Sequence, residues 1–294
     1  MKNEFCGVGT ALITPFFDDG SIDYKTLEKL VCWQIESGVD FLVPCGTTGE
    51  TVNFSDSEYE KVIQTVVKSA NRKAKILVGS GSNSTQKTIH YSQIAAKSGA
   101  DAILVVTPYY NKPTQNGLIA HFETVATNVD LPIILYNVPG RTGVNLQPST
   151  TLQLSQNPKI IGVKEASGNL SQIMEIVSQK PKDFVLLSGD DSLTLAITAC
   201  GGNGVISVAS NVFPKEFAKL VHFAIDGKIP EAQELQYRFL KLMDLLFIES
   251  NPIPAKTCLV LMDKISENFR LPLVKMSDSN KILLSNELIN LNLI

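Results

Sequence analysis

Short, near-continuous apolar runs alternate with helix-length segments eight times along these 294 residues. Strands that read as unbroken hydrophobic runs, without in-out alternation, are covered on both faces, as parallel strands between helices are. The runs are Gly9 to Phe16, Asp40 to Cys45, Lys75 to Ser80, Ala102 to Thr107, Pro132 to Tyr136, Ile160 to Glu165, Phe184 to Leu187 and Gly204 to Val208. Helices are expected near Tyr24 to Glu36, Asp56 to Ala70, Gln86 to Lys97, Asn116 to Asn128 and Lys215 to Ile225. The second opens on a Ser55/Asp56 cap signal with Glu58 close behind. Eight such units favour an α/β fold closed into a (β/α)8 barrel, the TIM-barrel architecture, over an open sheet. Ser37-Gly38-Val39-Asp40 and Ser98-Gly99-Ala100-Asp101 repeat one turn, which ends a helix on glycine and feeds a strand.

The barrel is expected over residues 1–226 and a C-terminal helical extension over 227–294, with helical patterns near Glu231 to Leu246, Ala255 to Ile265 and Ser285 to Leu293. Asn251-Pro252-Ile253-Pro254 reads as a rigid turn between two of these helices, and the extension could serve an oligomer interface. A net charge of -3 and a single short basic stretch, Asn71-Arg72-Lys73-Ala74-Lys75, leave no electrostatic footprint for nucleic acid. That stretch reads as a solvated helix-to-strand turn. The apolar runs are far shorter than the roughly 20 residues that span a bilayer, and Met1-Lys2-Asn3-Glu4-Phe5 lacks a secretory leader pattern, so a cytoplasmic protein without membrane partners is expected. Five scattered cysteines and three histidines form no metal-ligand spacing, and Cys32 and Cys200 fall in helical apolar patterns as expected core residues.

Chemistry in such barrels gathers at the C-terminal ends of strands. The sixth run carries Lys164, beside Glu165, at the end of Ile160-Ile161-Gly162-Val163. An ammonium among apolar neighbours must be solvated, paired or neutral, and a neutral lysine amine attacks carbonyls to make imines. The alternative is a lysine whose head group reaches solvent at the strand end. In a closed ring Lys164 neighbours Tyr136 of the fifth run, whose hydroxyl can move a proton. Arg141 follows in Tyr136-Asn137-Val138-Pro139-Gly140-Arg141-Thr142 and offers a fork for a carboxylate, although taken alone the pair reads more simply as a tyrosine near a turn and a solvated arginine. The second run ends in Gly46-Thr47-Thr48-Gly49-Glu50, a turn whose hydroxyls and amides can cradle a small anion. The fourth ends in Tyr109-Tyr110 between prolines, aromatics that should cover an active site or a partner chain, with core filling open for one of them. Ser188-Gly189-Asp190-Asp191 closes the seventh run and Gly201-Gly202-Asn203-Gly204 introduces the eighth. Glycines in both permit close approach of backbone to a ligand.

Gly46-Thr47-Thr48-Gly49-Glu50, the Tyr136 to Thr142 segment and Gly162-Val163-Lys164-Glu165-Ala166, in this order and spacing, resemble the 4-hydroxy-tetrahydrodipicolinate synthase family, formerly dihydrodipicolinate synthases, of the pyruvate-lyase superfamily. The likeness runs from Gly7-Val8-Gly9-Thr10-Ala11 to the Asn251 to Lys256 segment. It implies a condensation of pyruvate with L-aspartate 4-semialdehyde through an imine on Lys164, with no cofactor, in the diaminopimelate and lysine route. It further implies proton transfer by Tyr136 through Thr47 and a Tyr110 reaching in from a neighbouring subunit. Arg141 would receive the aldehyde substrate's carboxylate; Thr48 and its loop amides would hold pyruvate, with Gly189 and the Ile206 backbone lining the pocket. The subunit crossing implies at least a homodimer, and many relatives are tetramers. Lysine-inhibited relatives carry histidines where this chain has Asp56 and Tyr59 and a glutamate where it has Lys87, while Asn83 and Tyr109 remain. A lysine ligand would meet Lys87's like charge, so weak or absent feedback inhibition is expected. The nearest rival within the superfamily is N-acetylneuraminate lyase, against which Arg141 argues; a non-catalytic keto-acid sensor is the rival from another class.

Overall fold

The structure is a computed structural model and describes residues 4–294; Met1-Lys2-Asn3, part of the segment read for a leader, lies outside the described residues. The chain runs β1 (Gly7–Ala11), α1 (Tyr24–Glu36), β2 (Phe41–Val43), α2 (Asp56–Ala70), β3 (Lys75–Gly79), α3 (Thr85–Lys97), β4 (Ala102–Val106), α4 (Gln115–Asn128) and β5 (Ile133–Asn137). It continues through α5 (Pro139–Thr142), α6 (Pro148–Leu154), β6 (Ile160–Glu165), α7 (Leu170–Gln179), β7 (Val185–Ser188), α8 (Thr194–Ala199), β8 (Gly204–Ser207) and α9 (Pro214–Ile225). Three helices follow: α10 (Ile229–Leu245), α11 (Ile253–Leu261) and α12 (Asp278–Asn290). Strands β1 to β8 pair in sequence order, all parallel, and β8 closes on β1 through Val8 opposite Val205. The eightfold alternation thus becomes a closed barrel with a C-terminal helical extension.

Two layers of apolar side chains hold it. Inside the ring, Ala11, Phe41, Leu77, Leu104, Ile134, Val185, Leu187 and Ile206 form one cluster, while a larger one lies between strands and helices and takes in Leu242, Met243, Leu284 and Leu288 of the extension. Gly9 leaves room for the Phe41 ring, which a Cβ would meet at 2.0 Å. The repeated Ser-Gly-x-Asp turn does more than end a helix. Gly38 and Gly99 take φ of 92° and 91°, and each following aspartate accepts the backbone N–H of an adjoining strand, Asp40 from Val8 at 2.7 Å and Asp101 from Ile76 at 2.8 Å.

The first run is shorter than expected, because only Gly7–Ala11 enters the ladder; Leu12, Ile13 and Phe16 are buried outside it. The helices α5 to α8 fill the second half of the ring, where the sequence reading marked only strands. Cys32 is exposed, a correction: α1 buries Leu27, Leu30, Val31 and Gln34, and Cys32 sits off that stripe. Cys200 is half-buried at the C-cap of α8. The Asn71 stretch turns between α2 and β3, with Asn71 and Arg72 in the left-handed region. Among the described residues, no helix is long and apolar enough to cross a membrane.

Candidate active site

A cavity of about 580 Å³ opens at the C-terminal ends of the strands. Lys164 of β6 and Tyr136 of β5 are register partners and point into it together. The Lys164 Nζ lies 4.3 Å from the centroid of the Tyr136 ring, and the lysine is 6% exposed. Burial pulls the amine down to about 8, against the opposing pull of Asp191 and Asp190. Burial also pushes the Tyr136 phenol up to about 12, and the Thr47 side chain hydrogen-bonds it. The neutral fraction of the amine, about a tenth at pH 7 and far above that of an ordinary lysine, therefore faces a phenol that keeps its proton.

Glu165, although next to Lys164 in sequence, does not pair with it. Adjacent strand residues face opposite sides, so Glu165 lies in the layer behind the ring, accepting from Asn137 Nδ2, Gln172 Nε2 and the Ser167 N–H. Burial raises its carboxyl despite these bonds. The carboxylates that act on Lys164 come from the end of β7. Asp190 lines the cavity; Asp191 is buried and its Oδ2 accepts from the N–H groups of Val208 and Ala209 at 3.1 and 2.9 Å. Burial pushes Asp191 up to about 6. Both belong to the Ser188 to Asp191 segment, and their position directly after a strand end is the sequence signal for their role. Gly189 is needed for the lysine itself: a Cβ would sit 3.0 Å from Lys164 Cε and 2.5 Å from Ala166 Cβ.

Thr47 and Thr48 lie in a single turn of 3-10 helix, Thr47–Gly49, whose first N–H groups have no partner further back in the turn. Glu50 then takes a left-handed φ of 57°. Its buried carboxylate accepts from Lys256 Nζ of α11 at 2.7 Å and from the Arg270 N–H at 3.2 Å. Both side chains of the Lys256–Glu50 pair are fully buried, and the ammonium also lies over the Phe16 and Phe269 rings at 4.3 and 4.7 Å. Arg141 lies within the single turn of α5, lines the cavity while exposed, and its Nη2 donates to the Asn251 carbonyl at 3.3 Å. Ile206 lines the floor.

The same cavity continues past Thr51 and Val52 to Asn83, Lys87, Tyr91 and Tyr109. Tyr59 forms part of its wall, with its hydroxyl donating to the Gly79 carbonyl at 3.0 Å, and Asp56 is engaged by His90 at 2.7 Å. Tyr110 is 89% exposed, has a left-handed φ of 72° and is not among the residues lining this cavity. Of the adjacent tyrosines, Tyr109 is therefore the one covering the site within its own chain. Gly201 to Gly204 fall at the opposite, N-terminal end of β8, which corrects their reading as a ligand approach: the Cβ absent from Gly204 would strike the Gly7 carbonyl at 2.0 Å, so that glycine serves strand pairing. Sequence reading missed Asn251 as a wall of the site, because its two prolines dominated that segment.

Closed parallel strands carrying a desolvated lysine at their mouth define a (β/α)8 barrel enzyme. The chain belongs to the dihydrodipicolinate synthetase family, whose model matches residues 4–290. It is 51% identical over 276 residues to the 4-hydroxy-tetrahydrodipicolinate synthase of Koribacter versatilis, covering 94% of this chain and 92% of that one. The dihydrodipicolinate synthase of Thermotoga maritima superposes with a TM-score of 0.97 at 42% identity, covering 99% of this chain and 100% of that one. The chloride-inhibited enzyme of Acinetobacter baumannii, solved in complex with pyruvate, superposes with a TM-score of 0.97 at 40% identity, covering 98% of this chain and 99% of that one.

Proposed function

We propose that this chain condenses pyruvate with L-aspartate 4-semialdehyde to give 4-hydroxy-tetrahydrodipicolinate, the reaction of the diaminopimelate and lysine route, by way of an imine on Lys164. The observation that carries the reading is the Lys164 amine, pulled down to about 8 by burial and set 4.3 Å from the Tyr136 ring. The neutral nitrogen attacks C2 of pyruvate, and water leaves as the imine forms. Loss of a methyl proton then gives an enamine, since the imine nitrogen takes up the electron pair. The enamine carbon bonds to the aldehyde carbon, whose oxygen gains a proton and becomes the hydroxyl. The substrate's amino nitrogen closes on C2, the C2–Nζ bond breaks, and Lys164 is released with a proton.

Tyr136 supplies and takes up protons through Thr47, to which it is hydrogen-bonded. Thr48 and the turn amides hold pyruvate's carboxylate, Arg141 receives that of the aldehyde, and Gly189 and the Ile206 backbone shape the pocket between them. Tyr110, exposed on its own chain, extends the relay in a neighbouring copy, which makes the working unit at least a homodimer, with a tetramer as its pairing. The chain divides into the barrel of 1–226 and an extension of 227–294 that shares the barrel's core. Five free thiols support a reducing, cytoplasmic setting. Purified protein should consume pyruvate and aspartate semialdehyde together in a coupled assay and leave N-acetylneuraminate uncleaved. Cleavage of the sugar acid, or binding of pyruvate without turnover, would overturn the assignment.

Imine formation needs the unprotonated amine, so its dependence on pH follows the lowered lysine. The initial rate of borohydride trapping at limiting pyruvate should rise about tenfold per pH unit below 8 and level above it. A rate already flat between pH 6 and 8 would contradict a buried, depressed amine. Feedback by L-lysine should be weak, because Lys87 faces the part of the cavity shared with Asn83 and Tyr109, and Asp56 is occupied by His90. Inhibition at low micromolar lysine, measured in the same assay, would count against this.

A further inference from the structure

The connection between α10 and α11 brings Asn251 to the wall of the cavity, where it is 5% exposed. Its Nδ2 donates to Thr48 Oγ1 at 3.0 Å, and its backbone carbonyl accepts from Arg141 Nη2 at 3.3 Å. One residue of the extension therefore touches both Thr48 and Arg141, the two groups proposed to hold the substrate carboxylates. Its Oδ1 is buried with no hydrogen-bond partner among the described residues, an arrangement that folding alone does not favour. A threonine hydroxyl has one proton to give and two lone pairs to fill. With a lone pair of Thr48 already taken by the Asn251 amide, its proton is left to point at an anion in the cavity. Five residues on, the buried Lys256–Glu50 pair ties the same segment to the far end of the Thr47–Gly49 turn, so the segment grips that turn at two places.

We propose that Asn251 is a positioning residue that presets the Thr48 hydroxyl as a donor to the carboxylate of the keto-acid substrate. The inference rests on pyruvate being that substrate. It acts on binding of the keto acid and leaves the aldehyde's site alone, because Arg141 is held by the Asn251 backbone, which a side-chain substitution retains.

Asn251→Asp keeps the shape of the side chain and reverses its polarity. The carboxylate accepts the hydrogen bond of the Thr48 hydroxyl and sets negative charge beside the pyruvate site. Steady-state kinetics and borohydride trapping with pyruvate should show KM for pyruvate raised at least about tenfold, since a charged-group hydrogen bond is lost and a like charge gained. Asn251→Ala should raise it less. On a Thr48→Val background, Asn251→Ala should change KM for pyruvate no further, while KM for aspartate semialdehyde stays within about twofold in Asn251→Ala. If the alanine variant does not fold, Asn251→Ser, which retains a donor of shorter reach, carries the same comparison. Equal pyruvate KM in wild type and Asn251→Asp, or equal and additive effects with and without the Thr48 hydroxyl, would overturn the inference. Failure of the wild-type protein itself to trap pyruvate would instead overturn the substrate reading on which it rests.

Discussion

Lys164→Ala should cut turnover of pyruvate and aspartate semialdehyde by on the order of 10⁴-fold or more, the scale on which removal of a covalent nucleophile is felt. The loss should fall on kcat, because the remaining walls of the cavity still receive both carboxylates. The variant should also be at least as stable as the wild type at neutral pH. A lysine whose folded-state value is about 8, below the ordinary 10.5 of the unfolded chain, opposes folding in full below pH 8. That opposition fades as pH climbs from 8 towards 10.5, so the stability advantage of Lys164→Ala should shrink over the same window. Thermal melts at pH 7 and pH 10 read the difference directly. A variant that melts earlier than wild type at pH 7 would mean that the lysine is a structural prop; retained turnover would mean that the chemistry lies elsewhere.

Lys256→Met should have the largest effect on stability, with roughly 3–5 kcal/mol lost in chemical denaturation. The substitution leaves Glu50 as a fully buried charge whose remaining hydrogen bond comes from the Arg270 N–H. Burial already pulls the Lys256 amine down against the attraction of Glu50, so the pair is bound up with desolvation on both sides. Removing both charges together, as Lys256→Met with Glu50→Gln, should recover most of the loss, since an amide oxygen still serves the Arg270 N–H. Near-equal losses in the single and double variants would show that packing around Phe16 and Phe269, and not charge, sets the cost.

Much of the barrel could be read from residues because its parallel strands are hydrophobic on both sides and its first helices carry strong punctuation. α2 begins after Ser55 with both halves of a capping box in place and ends at Asn71 in a left-handed cap. β6 spans Ile160–Glu165 as expected, and the Lys164–Tyr136 adjacency follows from consecutive strands in a closed ring. The second half of the ring was harder. α5, α6 and α8 are only four to seven residues long, too short for a 3.6-residue period to emerge. β1 is shorter than its apolar run because the run continues past Ala11 into buried chain beyond the strand's end.

Within the site, the residues that project from strand ends were legible and those that arrive from far along the chain were not. Asp190 and Asp191 follow directly on β7, but which carboxylate reaches Lys164 depends on the turn after Gly189. Asn251 and Lys256 lie about 200 residues from the Thr48 and Glu50 they grip, and no local period announces such a contact. Glu165 stands apart from the site for a local reason: neighbours in a strand are close in sequence and on opposite faces in space.

The central claim is that the buried amine of Lys164 bonds covalently to the keto acid. Borohydride reduction of the intact protein with pyruvate, followed by peptide mapping, tests it most directly. A single reduced pyruvate adduct on the peptide carrying Lys164, with activity lost in step, is the expected result. An adduct on another lysine, or full activity after reduction, would contradict it.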